Sequence, residues 1–327
     1  MPHATRVGAQ LAALLALAIF CGSTAVLCAD PVKLRIGYGT AAEEQLWLLI
    51  AKPELGKHHG KAYTIDASRF TGSDKRAQAF EAGAIDLASS SANGVIFAAA
   101  EGVKAKMIAS ITRESTKGFS TTFYARADSP IKALKDLKGK TIGINGFATS
   151  GHLWLKTALE KAGLAESDVT IVPIPFPAMA ESLHSGKLDV GQFPQPFMAM
   201  LEKQGKVTKL FTAKDAIPYD EELLVLIAKD EFLKQNSGAI RAFLEDLRDA
   251  TRFYLEKPTE ARQMLLDTKM VRVPADVFLT MQDYYRDPSM RISTESLEQM
   301  QEGQFKAGFQ KAKTDIRSIV DLSYLPN

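Results

Sequence analysis

Ala79-Phe-Glu-Ala-Gly-Ala-Ile-Asp-Leu-Ala88 and Ser182-Leu-His-Ser-Gly-Lys-Leu-Asp-Val-Gly191 match position by position. Both read small, apolar, polar, small, Gly, any, aliphatic, Asp, aliphatic, small. Each reads as a helix end, a glycine C-cap and a short strand, because glycine takes the left-handed turn that stops a helix without strain. Helix–Gly–strand grammar is common, so chance similarity is the competing reading. Taken as a repeat, the echo implies two lobes built on one plan.

Strand and helix signals extend outward from both copies. Before the first copy, Val32–Tyr38 alternates apolar and polar residues and breaks at Gly39, a strand followed by a loop. Leu46–Leu55 reads as helix and Ala62–Phe70 as strand. Ser73 is expected to cap a helix that ends at Gly83, Ile85–Ala88 is a short strand, and Val95–Ala100 begins another helix. The same order restarts near Lys140. Lys140–Ile144 is a buried strand, Asn145–Gly151 a Gly/Ser/Thr-rich turn, Leu153–Ala162 an amphipathic helix and Val169–Val172 a strand. Alternating strands and helices predict an α/β fold, each lobe a mixed, mostly parallel sheet flanked by helices. Gly118–Ala125 and Glu222–Ala228 read as strands that carry the chain between lobes, and two such crossovers form a hinge. The expected division is residues 30–123 with 222–327 for lobe 1, and 124–221 for lobe 2. From Phe232 the chain reads helical to Lys313, with Ile240, Phe243, Leu244 and Leu247 on a packing face.

The 327 residues are 46% hydrophobic and 24% charged with a formal net charge of +2, which excludes a disordered chain and gives no basic face for nucleic acid. At the N-terminus, His3 and Arg6 precede an apolar run, Leu11–Cys21, and the small residues Gly22–Ala25. That order predicts a signal peptide over residues 1–29, cleaved after Ala25 or Ala29. An uncleaved anchor over Leu11–Ala29 is the alternative. The only cysteines, Cys21 and Cys28, follow Phe20 and Leu27, which do not fit a lipidated cysteine, so no lipid anchor is expected. A body without a cysteine pair, a zinc-type His spacing or a Ser-His-Asp order implies no metal, no cofactor and no enzyme.

In this order, several stretches carry a family likeness. They are Arg35-Ile-Gly-Tyr38, Ala77–Gly102 with Gly83 and Asp86, Ala125–Ile131, Leu134–Ile142, and Gly186–Phe197. The chain resembles the type II periplasmic binding proteins of the sulfonate, taurine and nitrate kind, the NMT1/THI5-like family, some of whose members bind thiamin-precursor pyrimidines. The resemblance implies an exported, periplasmic and monomeric receptor. It would close on a small organic anion, sulfonate or carboxylate, and deliver it to an ABC permease in the inner membrane. A sensor subunit built on the same clamp, or a pyrimidine binder, is the alternative. Relatives often read Asp-Ala-Trp…Trp-(Asp/Glu)-Pro where this chain reads Asp189-Val-Gly-Gln-Phe-Pro-Gln195-Pro196. Gln195 replaces the acidic residue, which argues against zwitterions such as taurine.

An anion in a cleft needs hydrogen bonds and partial positive charge, which strand-to-helix turns offer through free N–H groups. The candidates are Thr149 and Ser150 in the second lobe, and Ser90 and Ser91 in what reads as the matching turn of the first. Thr40 follows the first strand, Ser120 and Thr121 lie on a crossover, and Gln195 completes the set. For the serines and threonines, helix capping is the competing role. Arg113, after the strand Met107–Ile111, is the one arginine considered as an anion partner, and a solvated loop arginine is its other reading.

Overall fold

Two five-stranded sheets organise residues 30–326, the part of the chain described by this computed structural model. The expected signal peptide and both cysteines lie outside the described residues. The first sheet runs β2 (Tyr63–Arg69), β1 (Val32–Tyr38), β3 (Leu87–Ser91), β10 (Glu221–Ala228), β4 (Lys106–Glu114). The second runs β7 (Thr170–Pro173), β6 (Thr141–Ile144), β8 (Val190–Phe193), β5 (Thr122–Arg126), β9 (Val207–Thr212). In each sheet the first three strands pair in parallel, and the fourth is antiparallel to both neighbours. The sheets therefore share one strand plan.

The sequence echo has a physical cause in that plan. Gly83 and Gly186 end their helices at φ of 74° and 77°, where a Cβ would strain the turn. Asp86 N–H donates to Arg35 O at 2.8 Å, and its carboxylate accepts Arg35 N–H at 3.3 Å. Asp189 N–H donates to Thr141 O at 2.8 Å, and its carboxylate accepts Thr141 N–H at 2.9 Å. Each aspartate thus clips its short strand to the first strand of its lobe. The likeness continues two residues further along those first strands. A Cβ on Gly37 would lie 2.3 Å from Ile85 Cδ1, and one on Gly143 2.5 Å from Leu188 Cδ1. Ile85 and Leu188 are themselves equivalent positions of the echo.

Helices flank both sheets. They are α1 (Glu44–Ala51), α2 (Ser73–Glu81), α3 (Ala92–Ala100), α4 (Ser150–Lys161), α5 (Phe176–His184), α6 (Phe197–Gln204) and α7 (Ala213–Ala216). After β10 come α8 (Asp230–Gln235), α9 (Ser237–Glu256), α10 (Pro258–Asp267), α11 (Ala275–Thr280) and α12 (Thr294–Lys306). In α9, Ile240, Phe243, Leu244 and Leu247 are fully buried in the core of the first sheet, each worth roughly 1.5–3 kcal/mol of burial. The expectation of helix from Phe232 to Lys313 fails at residues 268–274, after Lys306 and, over the longest stretch, at residues 281–293, which are irregular. Pro288 pushes Asp287 out of the helical region. This segment runs beside β4 instead, with Arg113 N–H donating to Tyr285 O at 2.9 Å and Ser110 N–H to Met290 O at 2.8 Å. It also carries Arg286, whose buried guanidinium pairs with Glu44 and donates to Gln45 Oε1 at 3.0 Å, fixing the start of α1.

Candidate functional site

In each lobe the chain leaves its first strand, turns, and enters a helix. The second-lobe turn ends with Ala148 at φ 54°, Thr149 in the cap position and Ser150 as the first residue of α4. The first-lobe counterpart ends with Ala42 at φ 62°, Glu43 in the cap position and Glu44 as the first residue of α1. Hence the serine run is not the matching turn: Ser89, Ser90 and Ser91 close strand β3, and the structural partner of Thr149 is Glu43. The Glu43 carboxylate occupies the anion position of its own turn. It accepts Gly39 N–H at 3.1 and 2.9 Å, the Ser89 hydroxyl at 2.7 Å and Arg76 Nη1 at 3.4 Å. Burial nonetheless pushes its pKa up.

The two turns face each other across a cavity of ≈ 80 Å³ at the C-terminal ends of the parallel strands. Direct contacts close the lobes over it. Ser91 Oγ lies 3.2 Å from Ser150 Oγ and accepts Ser150 N–H at 3.3 Å, and Asn93 Nδ2 donates to Ser150 Oγ at 3.0 Å. On the opposite side Asn145 Nδ2 donates to Ser73 Oγ at 2.8 Å. Asn145 Oδ1 is buried without a partner among the described residues. Exchanging the two ends of that amide keeps the Ser73 contact and frees an N–H donor.

Five of the eight expected residues line this cavity: Thr40, Ser91, Thr121, Thr149 and Ser150. Their hydroxyls differ in availability. Thr149 donates to Gly146 O at 2.8 Å, and Thr121 is committed to Glu114 and to Tyr284 Oη at 2.9 Å. Ser90 lines a neighbouring cavity instead. Ser120 lies beside Glu114, outside the lining. Gln195 is buried away from it. Its Nε2 donates to Gln282 O at 3.1 Å and its Oε1 accepts Ala199 N–H at 3.3 Å, so Gln192 presents the amide to the cavity. Arg113 is not a loop residue and does not line the cavity: it lies in β4 and donates through Nε to the Glu222 carboxylate at 2.8 Å.

Sequence reading missed Arg76, a buried arginine of α2 that lines the cavity. Among the described residues its one hydrogen bond is to Glu43, through Nη1, leaving Nε and Nη2 as charged donors. Asp74-Lys-Arg76 reads as a solvated helix face, and no spacing rule separates Arg76 from its neighbours. Behind Trp154, which lines the cavity, lies a buried acidic pair. Trp154 Nε1 donates to Glu221 at 2.7 Å and Asn93 Nδ2 donates to the other oxygen. Glu221 pairs in register with Glu114 across β10 and β4, and burial lifts both carboxyls to about 7.

The NMT1/THI5-like family model matches residues 66–261. The chain belongs to that family. It is 24% identical over 231 residues to the taurine-binding periplasmic protein of Escherichia coli, covering 70% of this chain and 69% of that one. It is also 26% identical over 203 residues to the 4-amino-5-hydroxymethyl-2-methylpyrimidine phosphate synthase THI12 of Saccharomyces cerevisiae, covering 57% and 56%. Among solved structures, the alkanesulfonate-binding protein SsuA of Xanthomonas axonopodis pv. citri bound to MOPS superposes with a TM-score of 0.74 at 19% identity, over 90% of this chain and 99% of that one. That likeness places the fold among the periplasmic binding proteins. No helix among the described residues is long and apolar enough to cross a membrane.

Proposed function

We propose that the chain is an exported solute receptor that captures a small organic anion, a sulfonate or carboxylate, between its sheets and delivers it to an ABC permease. The observation that carries this is that Arg76 of one lobe and the N-terminus of α4 of the other line one cavity. Arg76 supplies charged N–H donors, and α4 supplies backbone N–H groups and the positive end of its dipole. Thr40 and Gln192 add neutral donors. A cavity of ≈ 80 Å³ suits an acid group better than a pyrimidine ring, since about 150 Å³ is a benzene-sized space.

A thermal-shift screen of alkanesulfonates, carboxylates and pyrimidines tests the reading. Ligand at about 100-fold over its Kd adds about 2.7 kcal/mol, a rise of several degrees in Tm for a chain of this size. Stabilisation by acids with no product formed is the expected result. Catalytic consumption of a stabilising compound would overturn it.

A further inference from the structure

A second cavity of ≈ 280 Å³ adjoins the first. It lies in the first lobe between α2 and α3, above the Ala88–Ser91 end of β3, with the Phe147–Thr149 turn of the second lobe at its edge. Ser73, Arg76, Ser91 and Thr149 line both spaces, so the two share one polar wall. Beyond that wall Phe80, Val95, Ala98 and Ile227 form an apolar interior, Ser89 and Ser90 lie along β3, and the exposed Asp74, Glu81 and Glu101 stand at the mouth, with Phe147, 48% exposed, at the rim.

The volumes assign different roles. The first cavity is smaller than the about 150 Å³ that holds benzene, and the second is nearly twice that size. An acid group fits the first, but an attached chain or ring does not. Burying apolar carbon in the second space is favourable, whereas the charged head gains its hydrogen bonds only at the shared wall. Phe147 sits on the turn that presents Thr149, so the residue at the rim belongs to the same loop that contacts the head.

We infer that the second cavity is a body site. The ligand is an amphipathic organic anion whose acid group is held at the Arg76–Thr149 wall and whose alkyl or aryl body lies between α2 and α3. This rests on the receptor reading and narrows its substrate class.

Isothermal titration with alkanesulfonates from methane- to hexanesulfonate, together with naphthalenesulfonate, tests the inference. Affinity should rise about fourfold per buried methylene, or ~60-fold over three. Ala98→Trp, which fills the space from α3, should abolish that rise and leave methanesulfonate binding unchanged. Ala77→Trp fills it from the exposed side of α2 and guards against misfolding of the first variant. A flat chain-length series with methanesulfonate still bound, or a rise that survives both tryptophans, overturns the body site and leaves the receptor reading intact. If none of the sulfonates binds and a matched carboxylate series is also inert, the receptor reading falls and the body site falls with it.

Discussion

Arg76→Met removes the guanidinium from both cavities and keeps most of the side chain's length. In the wild type Nη1 lies 3.4 Å from Glu43 Oε1, with both side chains buried. Breaking a buried ion pair typically costs about 3–5 kcal/mol, because the remaining charge is left uncompensated. Gly39 N–H and the Ser89 hydroxyl still hold Glu43, which places the expected loss at the lower end, about 3 kcal/mol. Protonation gives the carboxyl an escape. Its pKa is already raised by burial and climbs further without Arg76. The loss is therefore largest at pH above the Glu43 pKa and shrinks as pH falls and the carboxyl takes up a proton. Binding of an anion loses a charged hydrogen bond, about 1.5–3 kcal/mol, a ten- to hundredfold weaker Kd. Arg76→Met/Glu43→Gln should recover stability but not affinity. Urea denaturation from about pH 5 to about pH 8 reads the first effect, and calorimetric titration with an alkanesulfonate reads the second. Wild-type affinity in Arg76→Met, or a pH-independent loss that the double variant fails to repair, would refute the reasoning.

Other positions make separate demands. Glu114 and Glu221 are lifted by burial to about 7, so in the folded state they hold protons that the unfolded chain has released. Their stabilising contribution is complete below the unfolded value near 4.5 and is lost as pH rises through about 7, up to about 3 kcal/mol per group. Glu221→Gln should therefore flatten the fall in stability between about pH 5 and about pH 8 measured by denaturant titration, and an unchanged slope would count against the assignment. Ser150→Ala removes the hydroxyl that meets Ser91 and Asn93 across the lobes. Ligand affinity should drop roughly tenfold with little change in Tm, and a purely structural residue would show the reverse. Gly118→Ala would set a Cβ 2.6 Å from Tyr285 N and 2.8 Å from Asp283 O. Backbone atoms on both sides cannot step aside, so a loss of about 1–3 kcal/mol is expected, read as a fall of several degrees in Tm.

Gly83, Asp86, Gly186 and Asp189 were legible because few residues can replace a left-handed cap or a carboxylate that clips two strands. Alternation marks Gly118–Ala125 as strand and an apolar run marks Glu222–Ala228, and they form β5 and β10, the antiparallel fourth strand of each sheet. The turns that build the site were harder to read. Ala42 and Ala148 take positive φ without glycine, so nothing in the chain marked them as equivalent. The serine run drew attention to the end of β3, because hydroxyl clusters look alike at a strand end and at a helix start. Arg76 is hidden in the sequence among solvated neighbours, and only the packing of α2 on β1 sets it against Gly37, Gly39 and Glu43. Across 281–293 the helical reading passes over Asp287-Pro288, the one strong breaker there, because a proline restricts the residue before it.

The shared strand plan also exposes where the lobes diverge, and on the receptor reading that divergence would orient the ligand. A helix start with free N–H groups is an anion site in either lobe. In the first lobe the chain fills that site itself, since Glu43 takes the Gly39 N–H and draws in Arg76. In the second lobe the equivalent cap position is Thr149, which brings no charge and turns its hydroxyl to Gly146. On the receptor reading the α4 start would be the anion position: the chain brings no carboxylate of its own there, Ser150 N–H meets only the neutral Ser91 Oγ, and Arg76 lines the same cavity from the other lobe. A ligand acid bound there would bridge the two lobes, and its binding energy would favour their closure, because only the closed arrangement brings both donors to one anion.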